Sequence, residues 1–183
     1  METAVFMDRD GTLMVDVGYC SSADDVHLLP GVKENLYRLK AQGLKLVIVT
    51  NQSGIGRGYF AEADFWIVQR KFEEKIGPGV IDATYFCPDR PEEPTERRKP
   101  APGMLLEAAR DLSVDLKSSF MIGDQSSDVE AGIRAGVKAA ILIHPDGTRP
   151  TPQSGAAFVA PDFAETTKFI LGQLSAHAGP KMR

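Results

Sequence analysis

Ala4-Val5-Phe6-Met7-Asp8-Arg9-Asp10-Gly11-Thr12 is the stretch that decides the fold of this 183-residue chain. The apolar run Ala4 to Met7 predicts a short buried strand. The strand runs out into two carboxylates, Asp8 and Asp10, and Gly11 lets the backbone turn away tightly. A plain strand-to-turn exit is the competing explanation, because Asp and Gly are ordinary turn residues. Two carboxylates this close resist joint ionisation. Their pairing becomes reasonable where a divalent cation and an incoming phosphate share the charge.

Outward from this strand, short apolar runs alternate with helical periodicities, which predicts an α/β fold with a mainly parallel sheet flanked by helices. Further strands are expected at Leu44–Thr50, Ala83–Phe86, Ser119–Gly123 and Ala139–Ile143, with a short edge strand at Phe158-Val159. Helices are marked by Val32, Leu36 and Leu39 (closed by Gly43), by Phe65, Val68, Phe72 and Ile76, by Met104, Leu105, Ala108 and Leu112, by Val129 and Ile133, and by Phe163, Phe169, Ile170 and Leu174. A proline-rich loop is expected from Cys87 to Pro102 and another loop from His144 to Gly155. Residues 1–177 are read as one domain and residues 178–183 as a frayed tail. Residues 14–29 and 87–102 are too short to form a separate cap domain.

A formal charge of −4 argues against nucleic acid or an anionic membrane as the main partner. No run reaches the roughly 20 apolar residues of a membrane span. The start of the chain lacks a secretory pattern, and Cys20 and Cys87 form no disulfide framework, so a reducing cytoplasm is the expected compartment and a monomer the expected state.

Ligands of open parallel sheets collect at the carboxyl ends of strands. Asp8 and Asp10 follow the first strand, Thr50-Asn51-Gln52-Ser53-Gly54 the second, and Gly123-Asp124, with Asp128 beyond, the fourth; Arg98-Lys99-Pro100 precedes the helix leading into the fourth. Together these groups can carry out phosphoryl transfer to an aspartate. Such a reaction needs positioning and charge neutralisation above all. Asp8 and Asp124 can share a hard cation such as magnesium. Thr50 offers a hydroxyl, the Asn51–Gln52 region backbone N–H groups, and Lys99 a point charge. Asp10 is placed to protonate the leaving oxygen and then deprotonate water. Asp128 reads as a helix first-turn acid favoured by the dipole.

On Asp8-Arg9-Asp10-Gly11-Thr12, Asp16-Val17-Gly18-Tyr19, Thr50 to Gly58, Arg98 to Met104 and Gly123-Asp124, the sequence resembles the haloacid dehalogenase superfamily of aspartate-nucleophile phosphatases. More narrowly it resembles the D-glycero-D-manno-heptose 1,7-bisphosphate 7-phosphatases and the related histidinol-phosphate phosphatases. The resemblance implies a Rossmann-like fold, Asp8 as nucleophile, Asp10 as acid/base, and Thr50 and Lys99 as holders of the transferred phosphate. It implies magnesium on Asp8, on a main-chain or carboxylate oxygen of Asp10, and on Asp124. It would make Asp128 a support for the metal instead of a helix first-turn acid. Substrate contacts would fall on Asp16, Val17, Gly18, Tyr19, Asn51, Gln52, Ser53 and Arg98, with Arg98 taking a second phosphate. Asp16 could equally be a solvated loop acid and Tyr19 a half-buried packing aromatic. Arg57 reads as a solvated loop charge and Trp66 as core.

The implied reaction is loss of the 7-phosphate from the heptose bisphosphate; histidinol phosphate or another small phosphomonoester is the alternative. A receiver-type phospho-acceptor domain is the rival from another class, and the second carboxylate, Asp10, argues against it. The chain departs from the pattern in two places. Many relatives bind zinc through three cysteines and a histidine in the loop before Arg98-Lys99. Here only Cys87 remains, with Asp89, Thr95 and Arg97 at the other places, so no structural zinc is expected. The loop is expected to be held instead by Pro88, Pro91 and Pro94 and by pairing of Glu93 or Glu96 with Arg97. The second departure is Gln125, where some relatives carry a basic residue.

Overall fold

Ala4, Val5, Phe6 and Met7 form β1 (Ala4–Met7), and all four are fully buried in the computed structural model, which describes residues 1–144 and 155–176. They are buried on both faces because β1 lies inside the sheet, paired in parallel with β2 (Lys45–Asn51) and β4 (Phe120–Gly123). The remaining strands are β3 (Ala83–Cys87), β5 (Ala139–Ile143) and β6 (Phe158–Ala160), and every pairing is parallel. The order is β3-β2-β1-β4-β5-β6. The direction of winding therefore reverses between β1 and β4, which is where such sheets open a crevice for ligands.

The strand period of two sends alternate side chains into two separate cores. Val5, Met7, Leu46, Ile48, Phe120, Ile122 and Ile141 face one side. There they meet α1 (Val32–Lys40), α3 (Glu62–Ile76) and α6 (Phe163–Ser175) through Leu36, Phe72 and Ile170. Ala4, Phe6, Val47, Val49, Met121 and Leu142 face the other side and meet α4 (Gly103–Asp111) and α5 (Ser126–Ala135) through Met104, Leu105 and Val129. Each large apolar side chain so buried contributes about 1.5–3 kcal/mol. A one-turn helix, α2 (Ser53–Gly56), follows β2 and is not signalled by any periodicity. Helix α1 stops at Lys40, and the turn Ala41–Gly43 ends in Gly43 at φ 76°, a left-handed conformation that suits glycine.

No separate cap domain is present among the described residues: 14–29 and 88–102 run mostly as turns and irregular backbone, with a 3₁₀ turn at Ala23–Asp25 and an isolated bridge between Met14 and Leu28. The loop after β3 is held differently from expectation. Arg97 pairs with Glu107 of α4 at 3.1 Å and donates to the Phe86 carbonyl at 3.0 Å, while Glu93 pairs with Arg90 at 2.5 Å. The loop folds back on the start of α4, bonding Gly103 N–H to the Glu96 carbonyl, and this brings Arg97 to the helix rather than to its sequence neighbours. The tail 178–183, His177 and most of the loop after His144 lie outside the described residues.

Candidate active site

Asp8 leaves β1 with its backbone still pinned to the neighbouring strand, its N–H donating to the Ile122 carbonyl at 2.9 Å. The chain then turns at Gly11, whose φ is 84°. A Cβ there would also lie 2.6 Å from Asp124 Oδ2, so position 11 must be glycine for Asp124 to approach. Asp124 follows β4, and Thr12 Oγ1 donates to its Oδ1 at 3.2 Å. Asp128, in the first turn of α5, accepts from Gln125 N–H at 3.0 Å. That bond is the one expected of a helix first-turn acid, and the other Asp128 oxygen meets Lys99.

Lys99 Nζ lies 2.9 Å from Asp8 Oδ1 and 2.6 Å from Asp128 Oδ1, and its side chain is 2% exposed. Asn51 fixes the lysine from behind: its amide donates to the Lys99 carbonyl at 3.0 Å and its oxygen accepts the Lys99 N–H at 3.1 Å. Carboxylate oxygens of Asp8, Asp124 and Asp128 all lie within 4.8 Å of one another. One ammonium among three carboxylates leaves an excess of negative charge, and the donors are hard oxygens, so the residues present fit a divalent cation such as magnesium.

The electrostatics agree. Burial raises the Asp124 carboxyl above its ordinary value and Asp8 adds to it, against the bonds from Gln125 and Thr12. Burial pushes Asp128 up to about 7, with Lys99 opposing. Burial alone would lower Lys99, but Asp128 and Asp8 outweigh it and hold the ammonium charged.

The carboxylate of Asp10 is not part of that cluster. Arg9 Nη2 holds it at 3.0 Å and Gln52 Nε2 at 2.8 Å, and the same Gln52 nitrogen donates to Thr50 Oγ1 at 2.9 Å. Burial raises the Asp10 carboxyl; Arg9 and Gln52 oppose this and Asp8 reinforces it.

The cleft of about 220 Å³ over these groups is lined by Asp8, Asp10, Asp16, Gly18, Tyr19, Thr50, Asn51, Gln52, Ser53, Lys99, Asp124 and Asp128, among others. Val17 and Arg98 do not line it. Val17 is exposed, and Arg98 donates to the Asp89 carbonyl at 2.7 Å. Asp16 accepts from Gly18 N–H at 2.7 Å, the bond of a local turn. The Tyr19 ring packs edge-on to Tyr59 at 4.7 Å and rests where a side chain at Gly54 would stand. The Gln52 N–H, expected to face phosphate, is occupied by the Cys87 carbonyl at 2.7 Å. Arg57 is a surface loop charge that pairs with the exposed Glu92 at 2.7 Å. Sequence reasoning assigned no role to Arg9 or Thr12; its one available signal for Arg9 was a charge lodged between two carboxylates.

At the sites of the departed zinc ligands, Thr95 donates both its hydroxyl (2.5 Å) and its N–H (2.9 Å) to Asp89 Oδ2, holding that carboxyl below its ordinary range against burial. Burial pushes the Cys87 thiol up to about 11.

A family model described as HAD-hydrolase-like matches residues 96–166. The D-glycero-beta-D-manno-heptose-1,7-bisphosphate 7-phosphatase of Pasteurella multocida (strain Pm70) is 39% identical over 183 residues, covering 94% of this chain and 98% of that protein. The protein of that name from Escherichia coli (strain K12) is 38% identical over 160 residues, covering 82% and 83%. Among solved structures, the D,D-heptose 1,7-bisphosphate phosphatase from B. bronchiseptica, complexed with magnesium and phosphate, superposes with a TM-score of 0.83 at 30% identity, covering 94% of this chain and 99% of that one.

Proposed function

Since this chain belongs to the haloacid dehalogenase superfamily and is a phosphatase of it, we propose that it removes the 7-phosphate of D-glycero-D-manno-heptose 1,7-bisphosphate through an aspartyl-phosphate on Asp8. The observation that carries the mechanism is the division of labour between the two neighbouring carboxylates. Asp8 lies in the Lys99–Asp124–Asp128 cluster, and Asp10 is held out of it by Arg9 and Gln52. A nucleophile needs the side where Lys99 and a bound divalent cation would neutralise the phosphate's charge. An acid/base needs to stand apart and keep a proton within reach of the leaving oxygen.

Magnesium, when held by Asp8, Asp124 and the main-chain oxygen of Asp10, supplies that neutralisation together with the Lys99 ammonium. An oxygen of Asp8 attacks phosphorus while Asp10 protonates the departing sugar oxygen. Water then attacks the aspartyl-phosphate while Asp10 takes its proton and Asp8 is regenerated. Thr50 Oγ and Lys99 hold the phosphoryl oxygens. Asp16, Gly18, Tyr19 and Ser53 line the cleft where the sugar would lie. Arg98, anchored by one nitrogen on Asp89, keeps further N–H groups for a second phosphate.

The substrate assignment rests on the heptose bisphosphate phosphatases among the relatives. Comparing kcat/KM on heptose 1,7-bisphosphate and on histidinol phosphate tests it, and preference for histidinol phosphate would overturn it. We also propose a zinc-free loop, since Asp89 is engaged by Thr95 and a thiol as reluctant to ionise as Cys87 is a poor zinc ligand. Near-stoichiometric zinc in elemental analysis would contradict that. We also propose a monomer in the cytoplasm, a reducing compartment in which the two free, buried cysteines would stay reduced. No helix among the described residues is long and apolar enough to cross a membrane.

A further inference from the structure

Asp10 is gripped from behind by two side chains that the reaction as written does not use. Arg9 stands between the two carboxylates in sequence, yet its side chain is wholly buried and its guanidinium lies 5.0 Å over the Phe65 ring of α3. Its Nε and Nη2 donate to Asp10 Oδ2 at 3.2 and 3.0 Å. Gln52, itself buried, adds a third bond to the same oxygen at 2.8 Å and ties it to the Thr50 hydroxyl. Oδ1 receives one contact, from Arg9 Nη2, at a longer 3.3 Å.

This grip carries a cost. A buried guanidinium gives up its hydration, and Arg9 Nη1 has no hydrogen-bond partner among the described residues. An apolar side chain over Phe65 would fill the space without that penalty, so packing does not account for an arginine. We propose that Arg9 and Gln52 are positioning residues that tie down Oδ2 and leave Oδ1 as the oxygen through which Asp10 passes its proton. Gln52 then serves Asp10 rather than the substrate.

The proposal rests on the reading of Asp10 as acid/base. In the first step the Asp8–phosphorus bond forms, the bond from phosphorus to the sugar oxygen breaks, and the proton moves from Oδ1 to that oxygen. In the second, water oxygen bonds to phosphorus, its proton goes to Oδ1, and the Asp8 carboxylate leaves.

The leaving group separates positioning from general damage. A departing sugar alkoxide needs the proton, whereas 4-nitrophenolate leaves without one, and kcat/KM reports this first step for both. We expect Gln52→Met and Arg9→Lys to lower kcat/KM on heptose bisphosphate about 10- to 100-fold and on 4-nitrophenyl phosphate by less than about threefold. For the sugar substrate the loss should fall in kcat, with KM changed by less than about threefold. Equal losses on both substrates would overturn the proposal. So would a raised KM with unchanged kcat in Gln52→Met, the mark of a lost substrate contact. Gln52→Met carries the test should the Arg9 variant fail to fold. An Asp8→Asn control separates the two levels: phosphate release that survives it would refute the phosphatase mechanism itself, whatever the role of the grip.

Discussion

The strand ends around Asp8 and the two loops that flank the cleft are built in opposite ways. At the strand ends, contacts join residues far apart in the chain and are buried: Lys99 to Asp8 and Asp128, Asn51 to Lys99, Thr12 to Asp124. In the loops, several contacts are local and exposed, such as Asp16 to Gly18, Asp89 to Thr95 and Arg90 to Glu93. Chemistry that must hold a phosphorus atom within a fraction of an ångström sits on the rigid scaffold. Recognition of the rest of the substrate sits on segments that can change without disturbing the sheet.

The sharpest way to break this contrast is Lys99→Met. It leaves three clustered carboxylates without their cation, and we expect activity to fall at least about a thousandfold and stability by about 3–5 kcal/mol. Phosphate release and thermal unfolding measure the two effects, and magnesium should restore more of the lost stability here than it adds to the parent. A variant that stayed as stable as the parent would show that the cluster is not the charge-coupled centre described. Next comes Asp10→Asn, for which kcat/KM on the sugar bisphosphate should drop about 10²- to 10⁴-fold. Magnesium affinity, read by calorimetry, should change little, because the Asp10 carboxylate stands apart from the cluster.

How much of this is legible before folding follows the same division. The runs Ala4–Met7, Lys45–Asn51 and Ala139–Ile143 are readable because strands buried on both faces are continuously apolar, and that run fixes where Asp8 and Thr50 emerge. That Asp8, Asp10, Thr50, Lys99 and Asp124 meet at one cleft was legible because parallel sheets place strand ends side by side. The direction in which a side chain points was not. Asn51 and Gln52 read as substrate contacts and do line the cleft, but their side chains also bond Lys99, Asp10 and Thr50, and the first two of these partners lie more than 40 residues away in the chain. Arg97 was misplaced for a similar reason: its partner Glu107 becomes a neighbour only when the loop folds onto α4. Helix α2, one turn long, has no period to detect.

Loop substitutions should show the other side of the contrast. Asp16→Asn and Tyr19→Phe should raise KM about 3- to 10-fold with kcat preserved and with thermal stability little changed. A collapse of kcat in either would move that loop into the chemical centre. The smallest effect is expected at Asp82, far from the cleft. Burial raises its carboxyl, but Lys40 Nζ at 2.5 Å and the Leu46 N–H at 2.8 Å outweigh burial and hold it below the ordinary 3.8. A lowered carboxyl stabilises the fold above that value and loses its contribution as pH falls through the folded-state value. Asp82→Asn should therefore cost about 0.5–1 kcal/mol near neutral pH, and the gap from the parent should close as the pH drops below about 4 in denaturant titrations.

The most direct measurement is to trap the covalent intermediate. Enzyme mixed with heptose 1,7-bisphosphate and magnesium, quenched in acid within milliseconds and reduced with borohydride, should yield homoserine at position 8 by peptide mass spectrometry, and Asp8→Asn should yield none and release no phosphate. Label on another residue, or turnover by Asp8→Asn at the parent's rate, would contradict the assignment of Asp8 as nucleophile.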